Sequence, residues 1–353
     1  MLLRPAQASL SALKYLLLPL LASVLLPVAA RAQFVAPAMP PALSAGQLAL
    51  VVNDDEPNSV AIADYYRQAR NIPAANIVHV RIANRPHKLS AVEFATLKKR
   101  IDSQLGPEIQ AVLMVWTAPY AVECNSITAA YTLGVDAGLC ARSCGASQPS
   151  AYFNAAHGLP YAQYKMRLSM LLPTESVAQA RELIERGVSA GFRLQEANAY
   201  YLTTAETARN SRAPFFPPAG RLPTKKLNIK RLRADELDGA TDIMVYQTGM
   251  ARVAKLDTLK FAPGALADHL TSYGGDLLGA GQMSSLRWLE AGATASYGSV
   301  SEPCNYWQKF PQPTVLLQRY LSGDTAIEAY WKSVAWPAQG IFIGEPLSTP
   351  YRR

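Results

Sequence analysis

Short apolar runs alternate with amphipathic segments over the first third of the chain. Residues 48–53 (LALVVN) and 111–116 (AVLMVW) are near-continuous apolar runs, as expected of strands covered on both faces. Residues 77–82 (IVHVRI) alternate and read as a strand between them, with His79 a structural or surface residue. Helices fill the gaps. Residues 60–70 place Ala61, Ile62, Tyr65, Tyr66 and Ala69 on one face, with Ser59 as the cap and Asn71-Ile72-Pro73 as the stop. Residues 91–105 follow Ser90, with Glu93 set for a capping box. This βαβαβ start predicts a parallel sheet with right-handed crossovers. Ligands in such sheets bind beyond the carboxyl ends of the strands, which singles out residues 53–58 and 117–126.

Further along, residues 127–174 are rich in Cys, Pro, Tyr and Ala and read as an irregular insertion, bounded at about 124–175 and carrying His157-Gly158. Residues 176–187 form a helix ending at Gly187. Residues 199–203 and 242–246 read as strands, and the proline-rich residues 211–226 as an exposed loop. Residues 314–322 and 325–334 read as helices, and residues 341–343 as a last strand before Gly344-Glu345-Pro346-Leu347. The expected fold is α/β: one doubly wound, mostly parallel sheet with helices on both faces, spanning residues 47–353 as a single domain.

The first residues change the picture of where the chain works. Arg4 and Lys14 precede an uncharged apolar run over residues 15–30, and Ala30-Arg31-Ala32 fits a signal-peptidase site, making Gln33 the first mature residue. A run of roughly 16 residues is short for a membrane helix, which needs about 20. Residues 1–32 are thus expected to be a signal peptide and residues 33–46, with Pro37, Pro40 and Pro41, a linker. The expected location is the periplasm or the extracellular space, with no membrane span after cleavage. Four cysteines, Cys124, Cys140, Cys144 and Cys304, favour two disulfides in that setting. Three pairings are open; the favoured one joins Cys140 to Cys144 locally and ties Cys124 to Cys304 across two strand ends. A zinc site lacks a second ligand pair.

The formal net charge of +8 is concentrated at residues 98–100 and 225–233. Aromatic residues are not interleaved there, so no single-strand nucleic-acid groove is expected, no nucleic-acid partner is expected, and the clusters read as solvated surface. Neither a dinucleotide fingerprint nor a P-loop is present, and no cofactor is expected. Asp54, Asp55 and Glu56 offer oxygen ligands to a hard cation, but acidic residues before a helix more simply complement its positive end, and no metal is expected.

Reactive side chains are densest in residues 263–303. Ser272 is the candidate nucleophile, His269 the base, and Asp268 or Glu302 the group orienting it, with backbone N–H groups of residues 273–275 as oxyanion donors. The arrangement depends on local structure. In a helix, residues three apart share a face and His269 meets Ser272. In a strand they point to opposite faces. His157 is a second candidate base. Cys304 is a weaker nucleophile, because an exported cysteine beside three others is expected to be oxidised.

Residues 59–73, 116–134, 263–275, 295–303 and 344–351 resemble a family of exported bacterial proteins associated with genomes encoding exosortase, the transpeptidase-like membrane enzyme of an envelope-sorting system. The resemblance covers nearly all of the mature chain and itself implies no activity. More distantly, the order of elements is similar to that of gingipain-type, caspase-like peptidases, which use a His-Cys dyad on a doubly wound sheet. That likeness implies a His-Gly step where this chain has Gln247-Thr248-Gly249, and a cysteine where it has Ser272. The favoured expectation is an envelope-associated, catalytically silent binding or accessory protein whose partner is an envelope peptide, protein or glycan. The alternative is a peptidase- or amidase-like hydrolase using the Asp268-His269-Ser272 region.

Overall fold

The computed structural model describes residues 42–156, 158–191 and 194–352. The expected signal peptide, the linker up to residue 41, and His157 lie outside the described residues.

The chain enters through β1 (Leu48–Asn53), α1 (Pro57–Arg70) and β2 (Ile77–Val80), then β3 (Lys88–Leu89), α2 (Ala91–Asp102) and β4 (Ala111–Val115). Two short strands, β5 (Ala121–Val122) and β6 (Asn125–Ser126), precede α3 (Ile127–Leu133), α4 (Pro160–Tyr164) and β7 (Leu168–Leu172). After α5 (Val177–Ser189) come β8 (Ala197–Thr203), β9 (Gly220–Leu222), β10 (Leu227–Arg233), β11 (Ile243–Thr248) and β12 (Phe261–His269). The chain then forms α6 (Leu286–Glu290), β13 (Ala295–Ser299), α7 (Pro313–Leu321), α8 (Ala326–Ser333) and β14 (Gly340–Gly344).

Eleven strands form one sheet in the order β2-β1-β4-β7-β14-β13-β12-β11-β8-β10-β9. β2, β1, β4 and β7 are mutually parallel, as are β13, β12, β11, β8 and β10. β14 runs antiparallel to β13, and β9 antiparallel to β10. The fold class is therefore α/β with a mostly parallel sheet. Helices cover both faces: Trp288 of α6 meets the side chain of His269, while Tyr330 of α8 approaches that of the preceding residue, Asp268. Loops that follow β4, β12 and β13 meet at one edge, where the Tyr120 hydroxyl donates to Asp276 Oδ1 at 2.5 Å and Ser301 Oγ to the Cys124 carbonyl at 2.7 Å.

The expected strands form where continuous apolar runs place them; every residue of β1, β4, β11 and β13 is buried. Ser90 caps α2 as its spacing requires, with Glu93 closing the box. Ser59 does not cap α1. Pro57 takes the first helical position instead, where its missing N–H costs nothing, and Ser59 Oγ accepts from the Asn53 amide at 2.9 Å.

Three stretches differ from their sequence reading. The expected irregular insertion contains β7, a fully buried strand beside β4. Its run is interrupted by Ser169, whose hydroxyl is satisfied by the Thr128 carbonyl at 2.6 Å, so a polar residue sits inside the sheet without loss. The basic stretch 225–233 contains β10: Leu227 and Ile229 are buried, Lys230 is half-buried, and the strand becomes exposed from Arg231 to Arg233. The loop expected to be exposed at residues 211–226 buries Arg212, Phe216 and Pro217.

The disulfides correct the favoured pairing. They join Cys124 to Cys140 and Cys144 to Cys304, with Cα separations of 5.2 and 5.1 Å. Asn125 causes the first: its side chain bonds both the amide and the carbonyl of Asp136, folding the insertion back so that Cys140 lies beside Cys124. The second is set by Lys309, whose ammonium donates to the Ser143 carbonyl and holds Cys144 over Cys304. Peptide mapping under non-reducing conditions is expected to return these two cross-links; a Cys140–Cys144 peptide would contradict the arrangement.

Candidate functional site

β11 and β12 lie side by side in parallel, with Gln247 opposite Asp268 and Thr248 opposite His269. Strand geometry sends neighbouring side chains to opposite faces. Asp268 and His269 therefore enter different environments, and the open question of helix or strand is settled as strand through His269.

His269 is fully buried on the α6 face. Its Nε2 donates to the Met283 carbonyl at 3.0 Å, and its Nδ1 accepts from Trp288 Nε1 at 2.8 Å. An indole N–H can only donate, which fixes the neutral tautomer with the proton on Nε2. Tyr246 and Phe261 pack edge-on against Trp288 and close the surroundings. Burial pushes the imidazole pKa down to about 3, with smaller contributions from the Arg212 and Arg209 charges; the Met283 bond acts in the other direction.

On the opposite face, Asp268 is paired with Arg212 at 2.5 Å, and both are almost wholly buried. Gln247 Nε2 donates to Asp268 Oδ2 at 2.9 Å. Arg212 also donates to the carbonyls of Thr248 (2.8 Å) and Pro311 (3.2 Å), tying the segment after β8 to the end of β11 and the approach to α7. The phenols of Tyr201, Tyr297 and Tyr330 surround this pair. Burial, and then the Asp268 charge, push each above the ordinary tyrosine range.

Ser272 lies in the turn beyond β12, only 8% exposed. Neither ring nitrogen of His269 is directed to it, because both are engaged elsewhere. Two of the three backbone donors proposed for an oxyanion are occupied: the Tyr273 amide donates to Gln282 Oε1 at 2.9 Å and the Gly275 amide to the Ser299 carbonyl at 2.8 Å. The glycines here serve close packing. A Cβ on Gly298 would come within 2.4 Å of the Gly274 carbonyl carbon, and one on Gly249 within 2.0 Å of the Arg209 carbonyl oxygen. Glu302 accepts from the Cys304 amide at 2.7 Å and so stabilises its own turn. The structure thus brings Asp268, His269 and Ser272 to one strand end but joins none of them by a hydrogen bond, and it places Glu302 in the loop after β13.

What lines this edge instead is a polar chain absent from the sequence reading. Arg209 Nε donates to Thr271 Oγ1 at 3.2 Å, Thr271 donates to Gln282 Oε1 at 2.7 Å, and Arg209 pairs with Glu206 at 2.5 Å. Tyr273, 40% exposed, stands beside it. Arg209, Arg212 and Gln282 fall in no motif, so no local signal marks them. In the acidic turn after β1, Asp54 bonds His79 at 2.7 Å, Asp55 bonds Arg81 at 2.9 Å, and Glu56 Oε1 accepts from the Thr174 hydroxyl while Oε2 faces Arg85 at 3.7 Å.

No family model and no curated protein matches the chain. Solved structures do. One, described as the structure of a protease, aligns with a TM-score of 0.50 at 11% identity, over 88% of this chain and 79% of that one. The Arg-specific cysteine proteinase gingipain R aligns at 0.42 and 10% identity, over 88% and 80%. The complex of Porphyromonas gingivalis RgpB pro- and mature domains aligns at 0.45 and 10%, over 86% and 79%. At such identity the first likeness is one of fold, and the chain shares its architecture with a protease.

Proposed function

We propose that this chain is an exported, envelope-associated protein that keeps a caspase-like peptidase fold without peptidase chemistry. In this reading it binds an envelope peptide, protein or glycan at the carboxyl edge of β8, β11 and β12. The supporting observation is the state of His269. A general base must hold a free nitrogen within hydrogen-bond reach of the proton it removes. His269 has both nitrogens committed and is held neutral. Its strand neighbour Asp268 neutralises Arg212 on the other side of the sheet, so it cannot orient the imidazole. Ser272 is left an ordinary hydroxyl.

A fluorophosphonate probe tests this directly, since it reacts with activated serines. The expected result is no labelling of Ser272 above that seen with Ser272→Ala. A stoichiometric adduct on Ser272 that disappears in His269→Gln would overturn the proposal in favour of the hydrolase.

A further inference from the structure

Beyond the carboxyl end of β13 the chain places two aromatic residues between two amides, Asn305-Tyr306-Trp307-Gln308. Cys304 and Asn305 both take the left-handed region, with φ of 58° and 56°. That conformation is unfavourable for a cysteine, and backbone of this kind collects at ligand sites. The disulfide to Cys144 and the Glu302 carboxylate on the Cys304 amide hold it there. Two other segments meet the run, one just before β14 and one after β8. The Trp336 amide donates to the Gln308 carbonyl at 2.8 Å, and the Thr314 hydroxyl to the Phe215 carbonyl at 2.8 Å. Tyr306 and Trp336 stand with ring centroids 6.2 Å apart, and Trp307 and Phe215 4.6 Å apart. Tyr306 is 45% exposed, and the other three are half-buried. Aromatic residues grouped at a surface mark a place of interaction.

The polar groups beside these rings are unused. Among the described residues, neither Asn305 nor Gln308 makes a side-chain hydrogen bond, and Asn305 Oδ1 and Gln308 Oε1 are covered without a donor. Gln339 Oε1 is in the same state, although its Nε2 donates to the Glu302 carbonyl at 2.7 Å and to Ser301 Oγ at 3.1 Å. Covered amide oxygens in folded proteins ordinarily have donors. Charge is turned away. Glu302 and Lys309 are the charged residues of 301–310, and residues 213–219 and 334–340 have none. The Glu302 carboxylate serves its own turn, and the Lys309 ammonium donates to the Ser143 carbonyl. Rings flanked by free amides and no free charge suit a sugar. A sugar ring offers an apolar C–H face to an aromatic ring, and hydroxyls that both donate and accept around its rim. A side-chain amide answers both roles. We infer that this platform binds a neutral glycan of the envelope, with Tyr306 and Trp307 stacked on sugar faces and the amides of Asn305 and Gln308 turned to the hydroxyls. The inference deepens the binding reading proposed above and rests on it.

The test uses two probes from the envelope of the bacterium that encodes the chain: its polysaccharide, freed of protein by protease digestion, and its protein fraction. The purified chain is expected to be retarded in a native gel carrying the polysaccharide, with its tryptophan emission quenched. Because the contacts are uncharged, added salt is expected to leave the retardation unchanged. Tyr306→Ala and Trp307→Ala are each expected to weaken binding roughly tenfold, the scale of one lost aromatic stack. Tyr306→Ala is expected to keep the wild-type unfolding midpoint, since that ring is largely exposed, so its loss of binding reports the platform and not the fold. Binding to the protein fraction alone overturns the glycan and leaves the binding reading standing. Binding to neither probe overturns both. Polysaccharide binding that both variants leave unchanged, or that salt abolishes, overturns the platform.

Discussion

Replacing Arg212 by leucine is expected to lower the free energy of unfolding by about 3–5 kcal/mol, the ordinary cost of leaving one member of a buried ion pair alone. Asp268 would remain beneath Tyr201, Tyr297 and Tyr330 with only Gln247 to bond it strongly. The Pro311 carbonyl would lose its Arg212 donor at the same time, and the Thr248 carbonyl would keep only the Leu270 amide. The pair itself need not be stabilising, because two charges taken out of water repay their desolvation poorly. Arg212→Leu combined with Asp268→Leu is therefore expected to recover part of the loss. Urea denaturation of the single and double variants measures this. A single-variant loss below about 1 kcal/mol, the range of exposed pairs, would contradict the buried pairing.

Acid should act through His269. Its folded-state pKa of about 3 lies below the unfolded value of 6.5. The unfolded chain therefore takes up a proton that the folded chain refuses. The stability contributed by the neutral imidazole is complete above pH 6.5 and is lost as pH falls toward 3. Across that window it amounts to roughly 5 kcal/mol, at no more than about 1.4 kcal/mol per pH unit. His269→Gln supplies one donor for the Met283 carbonyl and one acceptor for Trp288 without a titrating ring. It is expected to lose less stability per pH unit between 6.5 and 3 than the wild type, by up to one proton. Parallel stability curves for the two proteins would contradict a buried neutral histidine.

Much of the sheet was legible because burial on both faces demands continuous apolar sequence, and residues 48–53 and 111–116 have nothing else to be. The capping box at Ser90 was legible for a similarly local reason. β7 was not, since Arg167 and Ser169 break its run and their partners, the carbonyls of Ile109, Gly106 and Thr128, lie far away in sequence. β10 was hidden by its charge: only its first half buries apolar residues, Leu227 and Ile229, and its basic second half runs out to the surface. The disulfide pairing depended on the Asn125–Asp136 bonds, which no cysteine spacing encodes. At the candidate site, the residue types singled out the end of β12, and whether His269 meets Ser272 was left to depend on helix or strand. Adjacent positions on a strand face apart, and the partners that decide the matter, Arg212 for Asp268 and Trp288 for His269, come from segments 56 and 19 residues distant.

The central claim is that His269 is closed off from Ser272 by its own hydrogen bonds. Nitrogen NMR of the imidazole ring, followed from pH 8 to pH 4, tests it most directly. The predicted result is one neutral tautomer with the proton on Nε2, unchanged across the range and unaffected by Ser272→Ala. An imidazole that titrates near pH 6.5, or whose signals shift when Ser272 is removed, would contradict the account and return the site to the hydrolases.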